Sequence, residues 1–266
     1  MKLRKIATIT LMALCIAALS FAAPGGWKQV GKSGDWKATK AGVGLGGKIY
    51  TVETSGNLYV TDPNTGSWKK LGGADFANTK FMFACGKNLY TIETSGNLYK
   101  VSPSDGSWAK IGKSGDWKAT IAGVAMKGKI YTVESSGNLY ETDPNTGSWK
   151  KLGGADFANT RFMFKCKGYL YTIETSGSLY KVSPSDGSWS KVGKSGDWKA
   201  TKAGVAVAGR IYTVETSGNL YETDPVTGVW KKLGGADFAN TRFMFNAGGN
   251  LYTLESSGSL YHVFIN

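Results

Sequence analysis

A ten-residue motif occurs six times along the 266-residue chain. The motif reads Tyr-Thr-(Val/Ile/Leu)-Glu-(Thr/Ser)-Ser-Gly-(Asn/Ser)-Leu-Tyr and begins at Tyr50, Tyr90, Tyr131, Tyr171, Tyr212 and Tyr252. A period near 40 residues with several short strands per unit is typical of a β-propeller blade, because a single blade cannot bury both of its faces alone. The repeats therefore predict an all-β, six-bladed propeller of four-stranded antiparallel blades.

The repeats are of two alternating kinds, which we call A blades and B blades. The loop before an A blade reads Gly-Lys-Ser-Gly-Asp-Trp-Lys, and the loop before a B blade reads Gly-Gly-Ala-Asp-Phe-Ala-Asn. The first strand of an A blade carries Ala-Gly-Val where that of a B blade carries Phe-Met-Phe. We interpret the chain as three two-blade modules with approximate threefold symmetry, in which small and bulky inner strands alternate around a narrow channel.

One B repeat shows how a blade is built. Its four predicted strands, called a to d from the axis outwards, are residues 79–85, 89–94, 98–102 and 108–112. Ser-Gly-Asn makes the hairpin turn between strands b and c, and Pro-Ser-Asp-Gly makes the turn between strands c and d. The d–a loops and b–c turns are expected on one face of the ring and the c–d turns on the other.

The last repeat ends after strand c, whereas a strand of type d stands near the start of the chain, around Trp27. We expect this N-terminal strand to pair with the last blade, because that pairing closes the ring and removes two open sheet edges.

Residues 1–22 are predicted to be a signal peptide and residues 23–266 the propeller domain. A basic start is followed by an apolar stretch over residues 6–19 and by Ser-Phe-Ala at residues 20–22. This order is typical of a cleavable export signal, and the apolar stretch is too short for a membrane span. The domain is expected to be secreted or periplasmic, soluble and monomeric.

The chain has 32 Lys and Arg residues against 19 Asp and Glu, a formal charge of +13. Removing the three basic residues of the signal leaves about +10. Such a charge favours acidic partners, for example an acidic surface polysaccharide, but also describes an ordinary lysine-rich surface. Nucleic acid is not expected as a partner outside the cell. Cys85 and Cys166 lie on blades too far apart for a disulfide.

Each d–a loop places an aspartate directly before an aromatic residue. These pairs are Asp35-Trp36, Asp116-Trp117 and Asp197-Trp198 before A blades, and Asp75-Phe76, Asp156-Phe157 and Asp237-Phe238 before B blades, where Asn78, Asn159 and Asn240 follow. A carboxylate beside an aromatic ring favours a sugar site, because the ring stacks on the sugar and the carboxylate accepts from its hydroxyls. Two alternatives stay open: the aspartate caps its own turn, and the aromatic ring fills the space between blades. The tryptophans of the d strands are interpreted as structural.

The residue inventory excludes several enzyme classes. His262 is the only histidine, and residues 23–266 contain three arginines, Arg161, Arg210 and Arg242, on different blades. Histidine triads, histidine-rich metal sites and a sialidase-type arginine triad therefore cannot form. The repeated carboxylates favour several equal binding sites over one asymmetric catalytic site. We expect a binding protein without a metal or other cofactor.

Residues 152–157 (Leu-Gly-Gly-Ala-Asp-Phe), 161–164 (Arg-Phe-Met-Phe), 168–171 (Gly-Tyr-Leu-Tyr) and 178–181 (Ser-Leu-Tyr-Lys) resemble the repeat of tachylectin-2-type propeller lectins and, more loosely, tectonin-type repeats. The resemblance extends through all six repeats. It implies a lectin with one sugar pocket per blade or blade junction, often for N-acetylated hexosamines, formed by the d–a loops and the asparagines at the strand a starts. This chain differs in its shorter repeats, its six blades instead of five, and its A blades without Phe-x-Phe.

Three functions are therefore weighed. The leading hypothesis is a multivalent lectin with three or six equivalent sites for glycans. The alternatives are a secreted or periplasmic protein-interaction scaffold and, less favoured, a propeller hydrolase.

Overall fold

A computed structural model describes residues 23–266, which form six four-stranded antiparallel sheets arranged as a six-bladed propeller. The inner a strands are β2 (Thr39–Leu45), β6 (Thr79–Cys85), β10 (Thr120–Met126), β14 (Thr160–Cys166), β18 (Thr201–Val207) and β22 (Thr241–Ala247). The b strands are β3 (Lys48–Glu53), β7 (Asn88–Glu93), β11 (Lys129–Glu134), β15 (Tyr169–Glu174), β19 (Arg210–Glu215) and β23 (Asn250–Glu255). The c strands are β4 (Leu58–Thr61), β8 (Leu98–Val101), β12 (Leu139–Thr142), β16 (Leu179–Val182), β20 (Leu220–Thr223) and β24 (Leu260–Val263). The outer d strands are β5 (Trp68–Leu71), β9 (Trp108–Ile111), β13 (Trp149–Leu152), β17 (Trp189–Val192), β21 (Trp230–Leu233) and β1 (Trp27–Val30).

The predicted fold class is confirmed, and the four strands predicted for one B repeat agree with the structure to within one residue at each end. We number the blades 1 to 6 from the one that begins at Thr39, so that blades 1, 3 and 5 are A blades and blades 2, 4 and 6 are B blades. The predicted signal peptide lies outside the described residues. Within residues 23–266, no helix is long and apolar enough to cross a membrane.

The N-terminal strand closes the ring as predicted. β1 pairs antiparallel with β24, from Trp27 opposite Val263 to Val30 opposite Leu260. Two backbone hydrogen bonds extend the pairing, because the Gly25 N–H donates to the Phe264 carbonyl and the Phe264 N–H donates to the Gly26 carbonyl. The last blade therefore takes its outer strand from the start of the domain.

Each blade is buried on both faces because it packs between two neighbours. In β3, for example, Ile49 and Val52 point to opposite faces and are both fully buried. The d strands face solvent over most of their length. Removal of the b and c strand side chains from water on both faces is the main stabilising contribution to this fold.

The inner strands fit together by size, as the alternation of small and bulky residues predicted. Phe83 packs over Gly123, Phe164 over Gly204 and Phe245 over Gly42. A Cβ atom added at any of these three glycines would lie within about 3.0 Å of the phenylalanine ring, so only glycine fits. A central channel of about 580 Å³ remains along the axis.

Five blades are also joined to the next blade by a long cationic side chain at the second position of strand a, which is isoleucine in blade 3. The strand is bulged there, so this residue turns away from the ladder. Arg161 donates to the Thr201 carbonyl at 2.7 Å, and Lys80 donates to the Thr120 carbonyl at 2.6 Å. Part of the lysine-rich surface therefore holds the ring together.

Candidate functional site

The aromatic residues of the d–a loops are buried between blades. Trp36, Trp117, Trp198, Phe76, Phe157 and Phe238 are 2–3% exposed. The expectation that these rings form an open stacking surface for a sugar is therefore wrong. The contacts that bury them lie between blades and leave no pattern in the sequence. The Phe76 N–H donates to the Gly56 carbonyl in the b–c turn of the preceding blade, at 3.0 Å, and the ring packs in a core cluster with Leu71 and Val101.

We call these buried aromatic residues of the d–a loops wedges. The wedges of A blades and of B blades have different partners. In the A blades the indole N–H of the wedge donates to a threonine at the end of strand c, for example Trp36 to the Thr61 hydroxyl at 3.1 Å. In the B blades the wedge is phenylalanine, and the position of Thr61 is taken by a valine such as Val101. A buried indole N–H needs an acceptor and a phenyl ring does not, so the paired exchange keeps both interfaces satisfied.

The aromatic rings that are exposed beside the d–a loops are instead the tryptophans of the d strands. The sequence analysis interpreted these tryptophans as structural. Trp27, Trp68, Trp108, Trp149, Trp189 and Trp230 are 46–50% exposed. Each packs edge-on against the tyrosine of the neighbouring c strand, as in the pair Tyr180–Trp189 with ring centroids 5.0 Å apart. Each blade therefore presents one half-exposed indole that is fixed by a tyrosine.

The aspartates of the d–a loops hold these indoles in four blades. The indole N–H donates to Asp Oδ2 at 3.1–3.2 Å in the pairs Trp68–Asp35, Trp149–Asp116, Trp189–Asp156 and Trp230–Asp197. The other oxygen, Oδ1, of these four aspartates has no partner among residues 23–266. The predicted aspartates therefore do lie at the site, but they position the outer tryptophan rather than the adjacent aromatic residue.

Together these groups line a pocket on the outer part of a blade. In blade 4 the cavity measures about 170 Å³, and its lining includes Asp156, Asn159, Glu174, Tyr180 and Trp189. The equivalent cavity in blade 6 measures about 140 Å³ and includes Asp237, Asn240 and Glu255. The cavities in blades 1 and 5 are smaller, at about 40 and 20 Å³. The tyrosine and the outer tryptophan are the site residues that the sequence interpretation missed.

The glutamates of the larger pockets are buried and hydrogen-bonded. Glu174 and Glu255 are 6% exposed, and each accepts from the threonine that opens strand a, Thr160 at 2.8 Å and Thr241 at 2.6 Å. Burial raises the pKa of both carboxyls, and the threonine hydrogen bonds oppose that shift in part.

The larger pockets carry carboxyl groups without a compensating cation in their lining. The lining of the blade 4 and blade 6 cavities contains an aspartate and a glutamate each but no lysine or arginine. Outside the lining, Lys202 is close enough to lower the pKa of Glu255 slightly against the effect of burial. An anionic group would meet like charge in these pockets, whereas hydroxyl, amide or ammonium donors would find acceptors.

The fold and the repeated pocket define the class: a six-bladed β-propeller with a pocket over the outer part of blades 1, 4, 5 and 6. The chain belongs to the DUF6242 beta propeller domain family, whose model matches residues 26–162, just over half of the sequence. No curated protein sequence matches the chain.

Several solved structures are similar in fold. A protein of unknown function from Bacteroides thetaiotaomicron is 12% identical, with a TM-score of 0.66 over 91% of this chain and 72% of that chain. Virginiamycin B lyase from Staphylococcus aureus is 11% identical, with a TM-score of 0.60 over 86% and 82%. BamB from Moraxella catarrhalis is 14% identical, with a TM-score of 0.51 over 85% of each chain. At these identities the likeness establishes the propeller fold alone.

Proposed function

We propose that this protein is a multivalent carbohydrate-binding protein. The observation that carries the proposal is the half-exposed tryptophan that recurs on every blade, held by a tyrosine and, in four blades, by an aspartate. A rigid indole next to hydrogen-bond acceptors suits a sugar ring, which has apolar C–H faces and hydroxyl donors at its edge. The resemblance to tachylectin-2-type lectins supports the same function.

The charge of the pockets narrows the class of sugar. The carboxyl groups and the absence of Lys and Arg from the blade 4 and blade 6 linings favour neutral hexoses and hexosamines over acidic sugars. The net positive charge of the chain therefore acts through the surface as a whole and not through these pockets. In this proposal the protein is exported, and weak equal contacts on several blades add up to tight binding of a surface that displays many glycans.

The experiment is a glycan array probed with residues 23–266, covering N-acetylated hexosamines, neutral hexoses, fucosylated glycans and acidic polysaccharides. The double variant W27A/W189A removes the outer indoles of blades 6 and 4, whose cavities are larger than those of blades 1 and 5, and is expected to weaken binding. The matched control is Tyr169→Ala, because Tyr169 is an exposed aromatic residue outside the pockets. Circular dichroism confirms that the variants are folded. Absence of binding across the whole array would overturn the proposal.

A protein-interaction scaffold is the second candidate, and the same exposed tryptophans favour it, because tryptophan is enriched in protein interfaces. The array separates the two functions, since a scaffold binds no free glycan. Release of reducing ends from a bound oligosaccharide would instead identify a hydrolase. Glu174 and Asp156 line one cavity, and the raised pKa of Glu174 is a property that a general acid requires.

A further inference from the structure

The six b–c turns differ at one position, and this position breaks the threefold symmetry of the ring. Blades 4 and 6 carry serine there, Ser178 and Ser259. The other four blades carry asparagine, at Asn57, Asn97, Asn138 and Asn219. Blade 2 therefore has the Phe-Met-Phe strand of a B blade but the turn of an A blade. It also has Lys80 where blades 4 and 6 have Arg161 and Arg242.

In three of the four asparagine blades the side-chain amide makes a hydrogen bond. In blade 2 the Asn97 amide donates to the Tyr99 hydroxyl at 3.2 Å, and its carbonyl accepts from the Gly115 N–H of the next d–a loop. In blades 1 and 3 the amides of Asn57 and Asn138 donate to the serine of the same turn at 3.0 Å. Serine is too short to make the contact with the tyrosine.

The direction of the pocket glutamate follows the same division. In the serine blades Glu174 and Glu255 turn inwards and accept from the threonine that opens strand a. In the asparagine blades the corresponding glutamates are partly exposed, and the threonines that open strand a, Thr39, Thr79, Thr120 and Thr201, keep a buried hydroxyl without a partner. Blade 2 agrees with the A blades in both respects, so the division does not follow the kind of blade. It follows the turn residue and also the second residue of strand a, which is arginine in blades 4 and 6 alone.

Blades 4 and 6, in which the pocket glutamate turns inwards, have larger cavities than the A blades 1 and 5. The cavities of the serine blades measure about 170 and 140 Å³, against about 40 and 20 Å³ in blades 1 and 5. Because one water needs at least about 10–15 Å³ of cavity volume, the smaller cavities have room for one or a few waters. The larger cavities can admit part of a sugar ring.

We propose that blades 4 and 6 hold the two sugar sites of the chain, and that serine at residues 178 and 259 determines which blades bind. The inference rests on the proposed function and adds to it the number and the position of the sites. It differs from the three or six equivalent sites that the repeats alone predict.

The test uses residues 23–266 and two matched variants. S178N/S259N installs the residue that four blades already carry, and N97S gives blade 2 the residue that blades 4 and 6 carry, so both variants are expected to fold. Isothermal titration with chitotriose, and in parallel with oligomers of galactose and mannose, measures the number of sites. The expected stoichiometry is two for the wild type and three for N97S, with at least a tenfold loss of affinity for S178N/S259N.

The outcomes are distinguishable. Binding with a stoichiometry of three or six, or binding that S178N/S259N leaves unchanged, overturns this inference but keeps the carbohydrate-binding function. A stoichiometry of two in N97S also contradicts it, because the turn residue would not then decide which blade binds. Absence of binding to every oligomer and to the array overturns the proposed function and this inference with it.

Discussion

The buried hydrogen bond between Trp36 and Thr61 offers a direct test of how the blades are held together. Both residues are almost completely buried, and the indole N–H donates to the threonine hydroxyl at 3.1 Å. Thr61→Val keeps the shape of the side chain and removes the acceptor. The indole N–H then stays buried without a partner, and we expect the free energy of unfolding to fall by about 1–3 kcal/mol.

Thr61→Val should lower the free energy of unfolding much less when the indole N–H of Trp36 is also absent. Trp36→Phe removes the indole N–H, so that Thr61→Val in this background replaces an unpaired buried hydroxyl with a methyl group. We expect that second step to be neutral or stabilising, which gives a coupling energy of about 1–3 kcal/mol between the two residues. The double variant has the phenylalanine–valine pair that the B blades use at Phe76 and Val101.

The measurement is urea unfolding at 25 °C, followed by circular dichroism, for the wild type, the two single variants and the double variant. For a domain of this size, each 1 kcal/mol also lowers Tm by about 2–4 °C. The reverse control is Val101→Thr in blade 2, which buries a hydroxyl beside Phe76 with no indole to donate to it. The reasoning is refuted if Thr61→Val is neutral in the wild type, or equally costly with and without Trp36.

Three further predictions concern charge, packing and closure. Burial raises the pKa of Glu174 and Glu255 in the folded state. The contribution of these two carboxyls to stability is therefore complete below their unfolded pKa and is lost as pH rises through their folded pKa. E174Q/E255Q should show a smaller fall in its urea midpoint between acidic and neutral pH than the wild type. Gly44→Ala should lower the free energy of unfolding by about 1–3 kcal/mol, because its Cβ would lie 1.8 Å from the Asn246 carbonyl oxygen. Deletion of residues 23–30 removes β1 and leaves the edge of β24 unpaired, so size-exclusion chromatography should show oligomers or aggregates.

Each of these three predictions has its own control. An equal fall in midpoint for E174Q/E255Q and the wild type would show that the two buried carboxyls do not cause the pH dependence. Ala206 occupies the position of Gly44 in blade 5, so Ala206→Gly should cost less than about 1 kcal/mol. If Gly44→Ala lowers the free energy of unfolding no more than Ala206→Gly does, the close approach of Gly44 to the Asn246 carbonyl is contradicted. For closure, adding a synthetic peptide of residues 23–30 to the truncated protein should restore the monomeric elution volume of the intact domain, and no effect of the deletion would show that β24 tolerates an open edge.

The fold could be predicted almost completely from the sequence, because its determinants are local and repeated. Alternation within a run of residues identifies a strand, and a Gly-containing turn identifies a hairpin. The missing fourth strand after Tyr261 and the surplus strand at Trp27 together define the closure. Each of these features is visible within one repeat or by counting repeats, so no knowledge of blade packing was needed.

The site could be predicted only in part, because exposure depends on contacts between blades. The loop aspartates and the asparagines Asn159 and Asn240 do line the pockets. The roles of the two tryptophans in an A blade were reversed, since Trp36 is buried and Trp68 is exposed. Both follow a turn in the sequence. The Trp36 N–H donates to the Gly258 carbonyl of another blade, and a contact between blades of this kind leaves no periodic signal in the sequence.

The inner strands and the b–c turns of the repeats are under different physical constraints. Small and bulky residues must alternate between neighbouring inner strands, because the Phe83 ring packs directly over Gly123. A change in side-chain size on one blade therefore alters the packing of the next blade. The last residue of the b–c turn is less constrained, because both Asn97 and Ser178 occur there and each hydrogen-bonds to a residue two positions away, although Asn97 also accepts from Gly115 of the next loop. The core therefore maintains the ring, while in the proposal above a single turn residue decides whether a blade has an open pocket. On this argument the number of binding sites is not given by the number of blades, and it can change by one substitution in a ring that otherwise keeps its symmetry.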